Sequence, residues 1–325
     1  MNIAKDYKGI ILSAIIGLIA YFGADFLPSA IGSILVALLV GILIGNLIKI
    51  PDNFQSGISY TSSKLLELSI LFLAFSINYN SIAKLGVNSF SIVIITVFIM
   101  LLLTFFLSKK LRCPGTTGWL TGFGTTICGS SAIAALAPSV SKNKEDVGMA
   151  MAAVNLYGSL GMIFLPIILK YFEFEPTSSG ILIGASLHSV GNVAGAGFGI
   201  SDEVGEVSIT IKLARVALLS PALIFFNYLV NRDNVKNWRE HFNLPWYLWA
   251  FIGITIFTSF VSVPKEVLYF MKISGNLVLT IAMAAIGLKI SFAKLFTTGR
   301  QGLVFGAIIF AVELLVIGLL MLVFI

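Results

Sequence analysis

Residues Ile92 to Leu107 read IVIITVFIMLLLTFFL, an apolar run interrupted only by two threonines and carrying no charge. A strand of a transmembrane barrel would alternate apolar and polar side chains over about ten residues, and this run does not alternate. A bilayer core about 30 Å thick is matched by a helix of about 20 apolar residues. In lipid the backbone must satisfy its own hydrogen bonds, which leaves helices or closed barrels. The run therefore reads as a membrane helix. Similar runs recur along all 325 residues, of which 58% are hydrophobic and only 11% charged. A soluble domain carries about 25% charged residues, so this chain lacks the charge to wet a globular surface.

Working outward, hydropathy gives an all-α polytopic membrane protein of about eleven spans. They fall at roughly 9–26, 30–49, 63–80, 88–108, 116–140, 146–171, 179–200, 205–230, 245–263, 267–290 and 302–325. The connections are short and rich in Pro, Asn, Gly and Lys, such as Lys109 to Pro114 and Arg232 to Glu240. The first run ends at Asp25-Phe26-Leu27-Pro28 without a small-residue cleavage pattern, so it is expected as a retained span. Alternating the loops places Lys5, Lys8, Lys49, Lys109, Lys110, Arg112, Arg232, Lys236, Arg239 and Arg300 on one side. Lys84, Lys142, Lys144 and Lys265 fall on the other. Basic excess marks the cytoplasmic face. The expectation is a multi-pass protein of the inner or plasma membrane with its N-terminus cytoplasmic and its C-terminus outside.

Composition also removes function classes. A net charge of +6 fits basic cytoplasmic loops in a membrane protein and gives no reason to expect nucleic acid. Two cysteines, Cys113 and Cys128, make neither a disulfide framework nor a zinc site. An intramembrane enzyme would have Cys128 and His188 as its one nucleophile–base pair, with nothing to fix a third group, so catalysis is not expected. No cofactor and no metal are expected beyond a coupling Na+ or H+. Eleven spans divide into an extra helix over 1–28 and two five-helix repeats, 29–173 and 177–325, the second inverted as in many secondary transporters. Spans 5 and 10 are the corresponding fourth members, and each holds a polar break.

The break in span 5 is Gly122-Phe123-Gly124-Thr125-Thr126-Ile127-Cys128-Gly129-Ser130-Ser131-Ala132. Glycine costs about 1 kcal/mol against alanine inside a helix, and hydroxyls compete for the backbone there. A half-helix starting at Ser130 would offer free amides, and a helix start carries about half a positive charge, suited to an anion. The alternative is that small residues only let helices pack closely. The second break is Ser274-Gly275-Asn276 in span 10. Lys212 and Arg215, three apart in span 8, share a helical face. They either face a cavity or counter-ion or snorkel to an interface. In span 7, His188 and Asn192 are expected on one helical face, where the histidine would carry a proton or hydrogen-bond a neighbour. Glu313 interrupts the last span, as a coupling proton site or as the counter-ion of Arg215.

The segment Cys128-Gly129-Ser130-Ser131-Ala132-Ile133-Ala134-Ala135-Leu136-Ala137-Pro138 closely resembles the one that marks the YeiH-type sulfate exporter family of conserved membrane proteins. The resemblance continues through Glu145, Pro166, His188, Lys212, Arg215, Pro221 and Ala282 to Leu288, and so covers most of the chain. It implies a fold related to sodium/bile-acid symporters and sodium/proton antiporters, with two broken helices crossing at mid-membrane. Two positions depart from the family pattern, Ser189 and Asn192, where an acid and a glutamine are usual. The expected function is secondary transport of a small anion, sulfate or an organic sulfonate, bound by Cys128, Gly129, Ser130, Ser131, Ala132, His188, Asn192, Lys212, Arg215, Ser274, Gly275 and Asn276. The alternative is a sodium- or proton-coupled carrier of a neutral or organic substrate, with Glu313 and the asparagines holding the ion. Lipid is the expected surrounding, and a homodimer is an expected assembly.

Overall fold

The computed structural model describes residues 3–24, 32–75, 79–111, 113, 115–141, 143–230, 246–290 and 300–325. The expected connection from Arg232 to Glu240, together with Asp25, Arg112 and Lys142, lies outside the described residues. Among those described, every regular element is a helix. In chain order the first are α1 (Ile3–Gly23), α2 (Ser33–Leu47), α3 (Asp52–Tyr60), α4 (Leu66–Ala74) and α5 (Tyr79–Lys110). A π-helical stretch, Thr61–Leu65, joins α3 to α4. Next come α6 (Gly115–Thr126), α7 (Ser130–Val140), α8 (Lys144–Tyr171), α9 (Pro176–Ser186) and α10 (Val190–Ile200). The last are α11 (Asp202–Ala217), α12 (Leu219–Val230), α13 (Trp246–Phe260), α14 (Lys265–Lys289) and α15 (Arg300–Phe324).

Four helical stretches among the described residues are long and apolar enough to cross a membrane: Leu85–Lys110, Glu145–Tyr171, Lys265–Lys289 and Gln301–Phe324. The pair α11–α12, bent by 40°, makes a fifth if it is one span. The chain divides into two compact units. One comprises Met1–Lys84, Ala194–Glu206 and Trp246–Ala293, the other Leu85–Val193, Val207–Pro245 and Lys294–Ile325. Each unit draws on both halves of the sequence.

The first unit is built on close helix packing. Gly41 and Gly45 of α2, spaced G-x-x-x-G, lie against α14 with no room for a Cβ. One on Gly45 would sit 2.7 Å from the Leu288 carbonyl oxygen, and one on Gly41 would sit 3.1 Å from Gly287 Cα. Asn46 Nδ2 then ties the end of α2 to the carbonyl of Ile290, 2.7 Å away. The expected break at Ser274-Gly275-Asn276 is corrected here, because all three residues lie inside the continuous helix α14. The carbonyl of Asn276 accepts from Thr280 Oγ1 at 2.7 Å. Gly275 makes room for Leu73, whose Cδ2 would lie 2.9 Å from an added Cβ. Its glycine serves packing.

The second unit holds the larger correction. Span 5, expected to cross as one broken helix, folds back on itself. Thr116 and Thr117, at the start of α6, donate to the two oxygens of Asp146 at 2.5 and 3.1 Å. Asp146 lies in the first turn of α8, so the starts of α6 and α8 are neighbours. At the start of α7, Ser130 Oγ donates to Asn155 Oδ1 at 2.9 Å. Asn155 is 11 residues into α8, or about 16 Å along it at 1.5 Å per residue. From that depth α7 returns to Val140, next to Lys144 where α8 begins. α6 and α7 are therefore a helical hairpin, with arms of 12 and 11 residues.

Span 7 folds back in the same way. A Cβ on Gly184 of α9 would meet the Ser208 carbonyl and, at 2.8 Å, Ile211 Cβ of α11. Three residues later, Leu187 O accepts from Lys212 Nζ. Residue numbers rise together along the two helices, so α9 and α11 run in the same direction. The chain between them must double back. Ile181, Ala185 and Ile211 close this region in one core cluster with Leu85, Ile92, Val93 and Ile317.

Candidate functional site at the meeting of two hairpin tips

Each tip is a helix end that the chain cannot satisfy alone. α6 stops at Thr126, and Gly129 N–H reaches back five residues to the Gly124 carbonyl at 2.8 Å. Gly129 takes φ 75° and ψ −134°, a conformation that favours glycine. An added Cβ would meet His188 only at 3.6 Å, so conformation and not space demands glycine here. The same distance shows that the tip of the α6–α7 hairpin touches the second tip, Leu187 to Ser189. In that tip Leu187 is extended, and Ser189 Oγ accepts from Asn192 N–H at 3.1 Å, capping α10.

The last carbonyls of a helix have no partner within it, and here they converge on α11. Lys212 Nζ donates to Ile127 O and Leu187 O, both at 2.7 Å. Arg215 donates to Thr125 O, Thr126 O and Ala185 O, to Leu187 O at 3.5 Å, and to Glu313 Oε1 of α15. Lys212, Arg215 and Glu313 are 0%, 1% and 0% exposed, which rules out snorkelling. Two positive charges meet one carboxylate and two helix C-termini worth about half a negative charge each. The clasp is near electrical balance. Arg215 and Glu313 form the counter-ion pair that stood among the sequence readings.

Positive helix starts remain on the other arms. No side chain caps α7, where Ser130 is half-buried and Ser131 exposed. Ser131 Oγ lies 2.9 Å from Cys128 Sγ. Cys128 and Ala132 are buried, and Asn155 is exposed. His188 and Asn192 do not share a helical face, which corrects the expectation: His188 sits in the tip and Asn192 in the first turn of α10. Both nevertheless crowd Gly158 of α8, where a Cβ would overlap Asn192 Nδ2 and lie 3.3 Å from His188 Nδ1. His188 Nε2 is 3.2 Å from Thr125 Oγ1, and its ring packs on Phe310 with centroids 5.0 Å apart. Its Nδ1 is buried without a partner, as is Glu313 Oε2.

The structure thus brings together Cys128, Gly129, Ser130, Ser131, Ala132, His188, Asn192, Lys212, Arg215 and Glu313 within one unit. Ser274, Gly275 and Asn276 belong to the other unit, where Asn276 Nδ2 reaches Asp202 Oδ1 at 3.4 Å. Sequence reading placed Thr125 in the break without giving it a partner, and it missed Asn155, Gly158, Gly161 and Phe310. The signal for α8 was present, since Gly158 and Gly161 are three apart and face one way. A Cβ on Gly161 would press 2.6 Å from Leu187 Cδ2.

Residues 8–306 match the model of a family described as conserved hypothetical protein 698. The chain belongs to this family. Its relatives include a UPF0324 membrane protein of Helicobacter hepaticus, 30% identical over 324 residues that cover 94% of this chain and 93% of the relative. The UPF0324 inner membrane protein YeiH of Escherichia coli K12 is 30% identical over 314 residues, covering 93% and 90%. The resemblance drawn from Cys128 to Pro138 is borne out at the level of the family. Among solved structures, the sodium proton antiporter MjNhaP1 of Methanocaldococcus jannaschii aligns over 95% of this chain and 100% of that one. Identity is 15% and the TM-score 0.30, so no fold assignment follows from it. This chain is a membrane protein of the family, with a polar, helix-end site inside one compact unit.

Proposed function

We propose that the protein is a secondary carrier of a small anion, with sulfate or an organic sulfonate as the candidate cargo, and that it exports this cargo by alternating access. The observation that carries this reading is the uncapped start of α7 at the hairpin tip, flanked by the Ser130 and Ser131 hydroxyls and Asn155. An anion there would meet amide and hydroxyl donors at a positive helix end. His188 and Asn192 border the same place. Lys212 and Arg215 act one step back, holding both tips in register through their carbonyls. Because this site lies within one unit, it can be carried as a body when access alternates. No catalytic chemistry is proposed.

The hairpins are read as re-entrant. Arms of 11 or 12 residues are about 16–18 Å long, too short to span a core about 30 Å thick. Counting α1, α2, α3–α4, α5, α8, α11–α12, α13, α14 and α15 as the crossings keeps the two termini on opposite sides. It also returns Lys142 and Lys144 to the cytoplasmic set and moves Lys170, in the last turn of α8, outside, where it joins Lys84 and Lys265, three against the four of the eleven-span count. The basic asymmetry sharpens, which supports a cytoplasmic N-terminus. Ser141→Cys should react with a membrane-impermeant maleimide from the cytoplasmic face alone. Labelling from outside would return residues 115–140 to a full crossing.

The function is tested by thermal unfolding of the purified protein with sulfate, sulfite, sulfonates and carboxylates, with and without sodium. Stabilisation by at least one oxyanion, independent of sodium, is expected. If sodium alone stabilises and no anion does, the anion carrier is wrong.

A further inference from the structure

Glu313 is a carboxylate buried completely at mid-helix in α15, with one oxygen engaged and one idle. Oε1 accepts from Arg215 Nη2, while Oε2 is sealed from solvent and has no partner. Buried polar atoms are almost always satisfied, so an idle carboxylate oxygen in the clasp calls for an explanation. A proton is the ligand that fits. It would bond to Oε2 and make a carboxylic acid, while Oε1 went on accepting from Arg215. The clasp would keep its geometry and change only its charge.

That charge is the point. With Glu313 ionised, Lys212 and Arg215 are balanced by one carboxylate and the two helix ends. With Glu313 protonated, the same cluster carries one uncompensated positive charge beside the start of α7. In a low-dielectric interior that difference is strong, and it is relieved by an anion at the tip. Resting on the carrier reading above, we propose that Glu313 binds a coupling proton, so that the anion is carried together with a proton. By linkage each ligand raises the affinity of the other to the same degree.

Other ionisable groups facing the clasp are few. Lys212 and Arg215 come from α11, Cys128 from the first tip and His188 from the second. On α8 the nearest is Tyr157, which donates to Leu303 O and packs on Phe310. α6, α7 and α9 bring no acid or base of their own to it. Lys212 and Arg215 are committed to carbonyls, so His188 is the alternative source of any pH dependence.

The experiment is sulfate binding to purified protein by thermal shift between pH 5 and pH 8, in wild type, Glu313→Gln and His188→Gln. In wild type, affinity should rise as pH falls, by up to tenfold per pH unit for one coupled proton. Addition of sulfate to weakly buffered wild-type protein should take up about one proton per site. Glu313→Gln imitates the protonated acid, with its amide oxygen still accepting from Arg215. It should bind sulfate with an affinity that no longer changes with pH and should take up no proton. His188→Gln should retain the pH slope. A wild-type slope that survives in Glu313→Gln, or one that vanishes in His188→Gln, overturns the assignment. Proton uptake by wild type decides the matter if Glu313→Gln does not fold: no uptake on sulfate binding overturns it as well. If wild type binds none of the oxyanions at any pH, the carrier reading itself fails and takes this inference with it.

Discussion

Two stretches of this chain look alike on paper and behave differently in the fold. Thr125 to Ser131 and Ser274 to Asn276 both set glycine beside hydroxyl or amide residues inside an apolar run. The first ends one helix and starts another, and the second passes through α14 without a break. The difference lies outside both stretches. At the hairpin tip, Lys212 and Arg215 arrive from α11 to take the carbonyls that a broken helix leaves open. At Ser274 to Asn276 no cation among the described residues donates to the backbone, and the Thr280 hydroxyl adds a local bond to the Asn276 carbonyl within the continuous helix. A break in lipid needs a donor from elsewhere; glycine only permits it.

The strongest way to break this comparison is to remove the donor. Arg215→Leu leaves Glu313 and several tip carbonyls buried without partners, and losing one side of a buried ion pair costs about 3–5 kcal/mol. We expect no monodisperse protein by size-exclusion chromatography. A well-folded Arg215→Leu variant would show that the tips do not depend on the clasp.

Glycine substitution should separate the two stretches next. Gly129→Ala forces φ 75° on a residue with a Cβ, in a region costing about 1–3 kcal/mol. Gly275→Ala gains about 1 kcal/mol of helix propensity, offset by crowding against Leu73 Cγ and Cδ2 at 2.9 Å and Phe72 Cβ at 3.2 Å. Thermal unfolding should therefore drop clearly for Gly129→Ala and stay near wild type for Gly275→Ala. Equal effects would mean that conformation is not what the tip requires.

The hydroxyls give the smallest and most selective contrast. Ser274→Ala should change stability by less than about 0.5 kcal/mol and leave sulfate stabilisation intact. Ser130→Ala should be similarly mild in stability yet weaken the sulfate-induced shift. If both variants bind sulfate as wild type does, the start of α7 is not the anion site.

Much of this was legible from residues alone. The run at Ile92 to Leu107 fixed the solvent as lipid, Cys128-Gly129-Ser130-Ser131 located one tip, and the charges of Lys212 and Arg215 marked where partners had to be. The direction of the chain after the tip was not legible. Hydropathy is the same for 25 apolar residues that cross and for 25 that enter and return, and the deciding contact, Asp146 with Thr116 and Thr117, is made at a distance of about thirty positions in sequence. The second tip was hidden for another reason. Its sequence, Leu187-His188-Ser189, has no glycine of its own, and its carbonyls are satisfied by the same two cations that serve the first. Ser274 to Asn276 was overread because local composition cannot show whether a donor will come.

The contact of Thr116 and Thr117 with Asp146 also constrains how the protein is made. Neither α6 nor α7 is long enough to hold itself across a bilayer during synthesis. The latch that seats their hairpin is on α8, which follows them along the chain, and the arginine that closes its tip comes later still. The hairpin has to wait, unseated, until both have entered the membrane, so truncation before Arg215 should leave residues 115–140 open to protease although every one of them is present.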